Sequence, residues 1–346
     1  MCGFIGKVSY DNINHSSLEV SNKRIICRGP DEKKTFFGNS KENFDSNEKL
    51  NFSLFFNRLS ILDLTENASQ PMVSNNYKTA LLFNGEIYNH KILREELEKE
   101  GAKFKSDHSD SEVVLYGFSI YGKKFVEKLI GQFSIVFFDF KINKVFLLRD
   151  RLGQKPLFFS NKNNGLVFGS NLKSVSEVSN EKNISEEEFY KYLNLGVVPS
   201  PMTIYKNIYK VKPGELIEFT FKNKNIIKTI NQYWNPADFV SEDEFNRDEF
   251  YGLLNDSINL RMQADVDIAN FSSGGIDSTA IIKIASGESK LNTFSMSVRD
   301  SIYDESKWFN AVADKYKSNH KTIIIDSKKI TNEEIINSVK IFDEPY

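Results

Sequence analysis

The second residue of this 346-residue chain is a cysteine, set in MCGFIGKVSYDN. A thiolate is the reactive form of cysteine, and at an ordinary pKa of about 8.5 only a few per cent is present near neutrality. A nucleophilic cysteine therefore needs a base. If Met1 is removed, Cys2 carries one on its own residue, an α-amine with an ordinary pKa of about 7.7–8.0. Gly3 then leaves space for a substrate. The competing reading is a small packed hydrophobe, the common fate of an unpaired cysteine. A second stretch, ANFSSGGIDSTAII (269–282), runs from a short apolar strand into a helix. Adjacent glycines there let backbone N–H groups converge on phosphate oxygens, and the helix N-terminus favours the same negative charge. There is no G-x-x-x-x-G-K-[ST], so a Walker-type site is disfavoured. A glycine pair alone is otherwise a tight turn.

Two kinds of element must position these groups. The first half carries short aromatic and β-branched runs at 53–62, 78–85, 133–140, 145–150 and 165–170, bounded by Asn, Asp, Gly and Lys turns, which predict antiparallel strands. Between them lie two helical patterns: 89–101, capped by Asn89 and ended by Gly101, and 109–122, capped by Ser109 or Asp110 and ended by Gly122. A Pro- and Gly-punctuated stretch follows from 196 to 235. Beyond it the rhythm alternates, with helices over 247–262, 276–286, 304–317 and 331–341 and strands over 266–271, 291–297 and 321–325. Such alternation predicts a parallel sheet covered by helices. The division expected is 1–210, a connector at 211–245, and a second domain at 246–346.

The first half also places polar groups at the edges of otherwise apolar strands: RGPD (28–31), FNRLSILD (56–63), FNGEIYNH (83–90), SDSEV (109–113) and RDRLGQKPLFF (149–159). Singly each is a turn, an ion pair or a cap. Together with MCGFIG they resemble the glutaminase domain of class II glutamine amidotransferases, in an order and spacing nearest to glutamine-hydrolysing asparagine synthetases. The resemblance implies an αββα sandwich of the N-terminal-nucleophile type. It also implies that Cys2 attacks the amide carbon of glutamine, with Asn84 and Gly85 as the oxyanion hole. Arg58 would pair with the substrate α-carboxylate, Ile61 and Leu62 would line the pocket, and Glu86 and Asp110 would meet the α-ammonium. Two positions depart from the family pattern: Cys27 stands where histidine is usual and is read as packing, and Asn171 replaces an acid.

In the second half SGGIDS (273–278), with RMQADV (261–266), TFSMSV (293–298) and SIYDES (301–306), resembles the ATP pyrophosphatase-like domain of the same family. The resemblance implies that Ser273, Gly274, Gly275, Asp277 and Ser278 hold the phosphates of ATP, Asp277 through Mg²⁺, while Ser272 and Met296 contact the nucleoside. Aspartate would be adenylated and then amidated by ammonia from the first half. Here Ser272 replaces a usual leucine and Asp267 a usual proline. The chain stops at FDEPY, before the family's second nucleotide loop, so the expectation is an incomplete synthetase half with an unpaired sheet edge, active in glutamine hydrolysis and impaired in making asparagine. Two other readings stay open: an amidotransferase acting on a different carboxylate, and a glutamine-sensing module without turnover.

Composition sets the bounds. With 45 basic and 47 acidic residues the net charge is -2, which gives no field toward nucleic acid or an anionic membrane. No apolar run reaches the ~20 residues that cross a bilayer, and no signal peptide is apparent. Two cysteines make no disulfide framework. The expectation is a cytoplasmic protein whose partners are glutamine, ATP and aspartate, with no nucleic acid or membrane and with room for a homodimer. His15, His90, His108 and His320 lack metal-ligand spacing and are read as surface residues.

Overall fold

The computed structural model describes residues 1–162, 164–242, 244–287, 291–299, 304–326 and 329–341, the side chains of the last stretch only to 338. They form two compact units, Met1–Val240 and Ser241–Ile341. FDEPY and part of SIYDES lie outside the described residues.

The first unit contains strands β1 (Gly3–Ser9), β2 (Glu32–Asn39), β3 (Asn51–Arg58), β4 (Met72–Ser74), β5 (Thr79–Ile87), β6 (Gly131–Asp139), β7 (Lys144–Arg149), β8 (Phe158–Lys162), β9 (Gly165–Gly169), β10 (Tyr209–Lys210), β11 (Glu215–Lys222) and β12 (Asn225–Gln232). Its helices are α1 (His15–Lys23), α2 (Ser40–Phe44), α3 (His90–Lys99), α4 (Asp110–Tyr121), α5 (Leu172–Ser179) and α6 (Glu186–Leu195). One sheet has the order β10-β8-β9-β1-β3-β2 and the other β12-β11-β7-β6-β5-β4, with antiparallel pairing throughout.

The strand sequences are apolar on both faces because both faces are covered, and period-two alternation sorts their residues into three cores. Phe4 and Val8 of β1, Leu82 of β5, Val136 and Phe138 of β6 and Leu147 of β7 meet between the sheets. Residues one step out of phase turn the other way. Ile5, Phe55 and Val167 pack with Leu18 of α1 and Leu172 and Val175 of α5; Leu81, Phe83, Ile135 and Phe137 pack with Leu93 and Leu97 of α3 and Val113 and Val114 of α4. The result is the expected αββα sandwich.

Three local expectations are corrected. The stretch read as a connector from 211 begins inside the sandwich: β11 pairs with β7, and its Ile217, Phe219 and Phe221 are buried between the sheets. Asn89 does not cap α3; its side chain instead donates to Lys128 O at 2.9 Å and accepts from Ile130 N at 3.0 Å, tying the helix start to the strand beside it. His90 is buried, with Nδ1 2.8 Å from Ile87 O, and is not a surface residue.

The second unit has parallel strands β13 (Ala269–Phe271), β14 (Asn292–Val298) and β15 (Asn319–Ile325) in that order, with helices α7 (Arg247–Leu260), α8 (Ile276–Ala285), α9 (Ser306–Tyr316) and α10 (Asn332–Ile341). A small core of Ile258, Ile282, Ala285 and Leu291 joins α7 and α8 to the sheet side. This is the βα alternation read from the sequence.

Candidate active site

Strand parity aims the chemistry. Cys2 is in phase with Phe4, and it packs against the between-sheet core. Asn84 on β5 is in phase with Ala80 and Leu82, which bury in the same layer. A cysteine from the first sheet and an amide from the second are thereby turned into one gap. At the end of β3, Leu59 N lies 3.4 Å from Cys2 Sγ, and Arg28 Nε donates to Cys2 O at 3.3 Å. Burial pushes the Cys2 thiol up, against the weaker pull of the Leu59 N–H and the chain's amino group. Burial also lowers the Met1 amine below its ordinary value, which favours its neutral, proton-accepting form.

Cys2, Arg58, Ile61, Leu62, Gly85, Glu86 and Asp110 line one hollow, and Cys2, Asn84, Gly85 and Glu86 line a second that adjoins it. The structure thus gathers every residue expected on the glutamine side. Asn84 is 1% exposed, and among the described residues its Nδ2 has no hydrogen-bond partner. An unpaired buried donor carries a desolvation penalty of about 1–3 kcal/mol, so this amide is poised for an acceptor. At Gly85 a Cβ would sit 2.1 Å from Gln132 O, so only glycine lets β5 lie this close to β6.

Arg58 is buried and donates to the carbonyls of Leu62 at 3.4 Å and Thr65 at 2.9 Å and to that of Asp63, with Glu32 Oε2 at 3.7 Å. It folds the 59–65 loop around itself, which is how Ile61 and Leu62 come to face the hollow. Asp110, at the start of α4, accepts from Ile87 N at 2.9 Å and so bridges helix and strand. Burial pushes its carboxyl up to about 6. Burial and the charge of Asp110 push Glu86 up to about 8.

Sequence reasoning missed the residues that hold this arrangement. Gln70 pairs like a strand with Phe83, accepting from its N at 2.6 Å and donating to its O at 3.0 Å, and it also donates to Ser111 Oγ at 3.2 Å. Asp150 accepts from the backbone N–H groups of Phe133, Leu152, Gln154 and Lys155 at 3.0–3.2 Å. Arg149 donates to the carbonyls of Lys155, Val211 and Gly153 at 2.6–2.8 Å. RDRLGQKP is polar, but its sequence carries no signal that separates a loop-building Asp from a surface one. Cys27 is exposed, which removes the packing reading. Asn171 caps α5, accepting from Ser174 N at 2.8 Å, a task an acid would perform equally.

In the second unit the loop after β13 is tied by Ser272 N to Phe294 O at 2.8 Å, while Gly275 N and Ser278 Oγ lie 3.2 and 3.1 Å from Ser273 Oγ. Gly274 has φ +78°, and a Cβ there would fall 2.5 Å from Trp308 Cβ. Gly275 begins α8 without a side-chain cap, so the first-turn N–H groups face the loop. Ser272 Oγ is buried and without a partner among the described residues. Asp277 is exposed in the first turn of α8, and Met296 is 61% exposed on β14, two residues beyond the Phe271–Phe294 pair. All these positions lie at the carboxyl ends of parallel strands, where such sheets bind ligands. The donor set fits phosphate oxygens. Among the described residues no cluster of three His, Cys, Asp or Glu side chains gathers for a metal, whereas Mg²⁺ beside phosphates needs only one or two carboxylates.

Two sheets between helical layers, with a cysteine at the head of β1, form this unit, and residues 1–234 match the glutamine amidotransferase domain family. Residues 249–346 match the asparagine synthase family. The chain is 32% identical over its full length to asparagine synthetase [glutamine-hydrolyzing] 1 of Bacillus subtilis, spanning 53% of that protein. It is 31% identical, again over its full length, to a Methanocaldococcus jannaschii protein provisionally named asparagine synthetase [glutamine-hydrolyzing] 2, spanning 69% of it. Against asparagine synthetase [glutamine-hydrolyzing] 2 of Bacillus subtilis the identity is 31%, over 97% of this chain and 45% of that one. The chain belongs to the glutamine-hydrolysing asparagine synthetase family, and it spans about half the length of the two Bacillus relatives.

Proposed function

We propose that the first unit hydrolyses glutamine to glutamate and ammonia at Cys2, and that the second binds ATP for adenylation of aspartate, which the ammonia converts to asparagine. The observation that carries the first half is the buried, unpaired Asn84 amide in the gap that holds Cys2. With Met1 removed, the α-amine of Cys2 takes the thiol proton and the sulfur attacks the amide carbon. Asn84 Nδ2 and Gly85 N–H receive the resulting oxyanion. The amine then returns the proton to the departing nitrogen, ammonia leaves, and water resolves the thioester to glutamate. At the other end of the hollow Arg58 meets the α-carboxylate, and Glu86 and Asp110 meet the α-ammonium.

In the second unit Ser272, Ser273, Gly274, Gly275, Ser278 and Met296 would hold the nucleotide, and Asp277 would hold Mg²⁺, whose charge neutralises the phosphates. The fit of that loop rests on the unpartnered Ser272 hydroxyl and the open N-terminus of α8. The same reading divides the chain into a glutaminase domain and a synthetase domain, allows a homodimer, and places the protein in the cytoplasm, where the Cys2 thiol would stay reduced.

Intact-mass analysis with an electrophilic glutamine mimic tests the first half, alongside ammonia release. Expected are loss of Met1, one adduct on Cys2, and a ~100- to 1000-fold fall in glutamine hydrolysis for a folded Asn84→Ala variant. Labelling elsewhere, retention of Met1 in active protein, or full turnover by Asn84→Ala overturns it. Asparagine formation from aspartate, ATP and glutamine by the same chain tests the second half.

A further inference from the structure

Lys155 is the cation that the mechanism above leaves unused. It is 9% exposed, and its side chain lines the hollow that also holds Met1, Cys2, Asn84 and Glu86. A buried ammonium is costly unless paired, yet among the described residues Lys155 makes no ion pair. It does not drift there on a loose loop: its N–H is held by Asp150 at 3.2 Å and its carbonyl by Arg149 at 2.8 Å, so the backbone is fixed on both sides.

The charges around Lys155 decide what it can serve. Asp150, on the same loop, also attracts it, but that side chain is already spent on four backbone N–H groups. Arg28, after α1, and the Met1 amine are cations that repel it. Glu86 on β5 and the Cys2 thiolate attract it, and burial lowers its own proton affinity. Beyond these, Asp110 acts on Glu86 and Arg58 acts on Cys2.

We propose that Lys155 is a positioning residue of the glutaminase site, its ammonium serving as the shared counter-charge that favours the Cys2 thiolate and, once substrate is bound, the Glu86 carboxylate. This deepens the glutaminase reading and rests on it. One cation thereby supports the attacking atom and the substrate-holding acid together.

The test uses the full chain in a Cys27→Ser background, so that Cys2 is the single thiol. The rate of iodoacetamide alkylation is measured against pH for Lys155, Lys155→Met and Lys155→Arg, with kcat and KM for glutamine. Lys155→Met is expected to raise the alkylation midpoint by about one pH unit, the size of losing one nearby opposite charge. It should lower kcat/KM about three- to tenfold at pH 7, since higher thiolate nucleophilicity recovers part of the loss, and the deficit should shrink as pH rises. Lys155→Arg, which keeps the charge, should hold the midpoint at the parent value.

A folded Lys155→Met with an unmoved midpoint, or a Lys155→Arg that behaves like Met, overturns the inference. If Lys155→Met does not fold, the Arg variant decides: a parental midpoint supports the proposal and a raised one refutes it. Failure of the underlying reading looks different, because the Lys155 parent itself would then neither hydrolyse glutamine nor take the glutamine mimic on Cys2.

Discussion

Glu86→Gln should make the protein more stable at neutral pH and, on the proposed reading, weaken its binding of glutamine. Glu86 is raised from 4.5 to about 8 by burial and by Asp110. Native Glu86 therefore keeps its proton across a window where the unfolded chain has lost it. The native state binds more protons there, so stability falls as pH rises from about 4.5 to about 8. At pH 7 the window spans 2.5 units above 4.5, which at about 1.36 kcal/mol per unit is a native-state penalty on the order of 3 kcal/mol. Glutamine at this position escapes it. Against this gain, Lys155 loses an anion that raises its own proton affinity, so the net effect should be about 1–3 kcal/mol, or roughly 3–8 °C in midpoint. Thermal melts of both proteins at pH 5 and pH 7 read it directly, and at pH 5 the gain should fall below about 1 kcal/mol. Titration of wild type with glutamine at pH 7, in buffers of different ionisation enthalpy, should show proton release as the α-ammonium drives Glu86 to ionise. A Glu86→Gln variant that gains nothing at pH 7, or gains as much at pH 5, would refute the assignment of a strained acid.

Asp150→Ala removes the acceptor of four backbone N–H groups, three on the β7–β8 loop and that of Phe133 on β6. It should destabilise the first unit by about 2–4 kcal/mol in urea melts and lower glutamine turnover with Cys2 intact. Gly274→Ala meets both a φ of +78° and a Trp308 Cβ at 2.5 Å. MgATP should change Trp308 fluorescence in the parent but not in this variant, and glutamine hydrolysis should stay within about twofold of the parent.

Composition marks the strand runs of the first half, while the αββα sandwich follows from the family resemblance. In the structure Leu81 and Leu82, adjacent and both apolar, turn to different cores, because β5 is covered on both faces. The same parity places Cys2 with Phe4 and Asn84 with Leu82 on inward faces. That the two faces meet is a property of sheet order, with β1 beside β3 and β5 beside β6, and strands that pair across dozens of residues carry no local mark of it. The same limit explains the connector: 215–222 has strand composition, but its partner β7 lies about 70 or more residues upstream, and the nearby Pro and Gly punctuation outweighs the run. The Asn89 cap failed for a related reason. Its amide had better partners at Lys128 and Ile130, which enter only through the tertiary fold.

The site is electrostatically unfinished in a patterned way. Burial and the charge of Asp110 keep Glu86 protonated near neutrality, burial holds Asp110 above the ordinary carboxylate range and lowers the proton affinity of Lys155, and Arg58 is held by carbonyls, with Glu32 Oε2 at 3.7 Å. Each group is better satisfied by a ligand than by its neighbours. On the proposed reading a zwitterionic amino acid would supply the two missing charges, an ammonium for the acids and a carboxylate for Arg58, and its side-chain amide would supply the oxygen that Asn84 Nδ2 lacks. Binding energy is therefore stored in the unliganded pocket as the penalties of unpaired groups. Discrimination follows from the same source. Glutamate would bring a third negative charge beside Cys2, where a neutral amide fits, and an amine lacking the α-carboxylate would leave Arg58 with backbone partners alone. Substrate selection and the folding penalty of this pocket are thus two readings of one charge arrangement, and variants that relieve the penalty should lose selection in proportion.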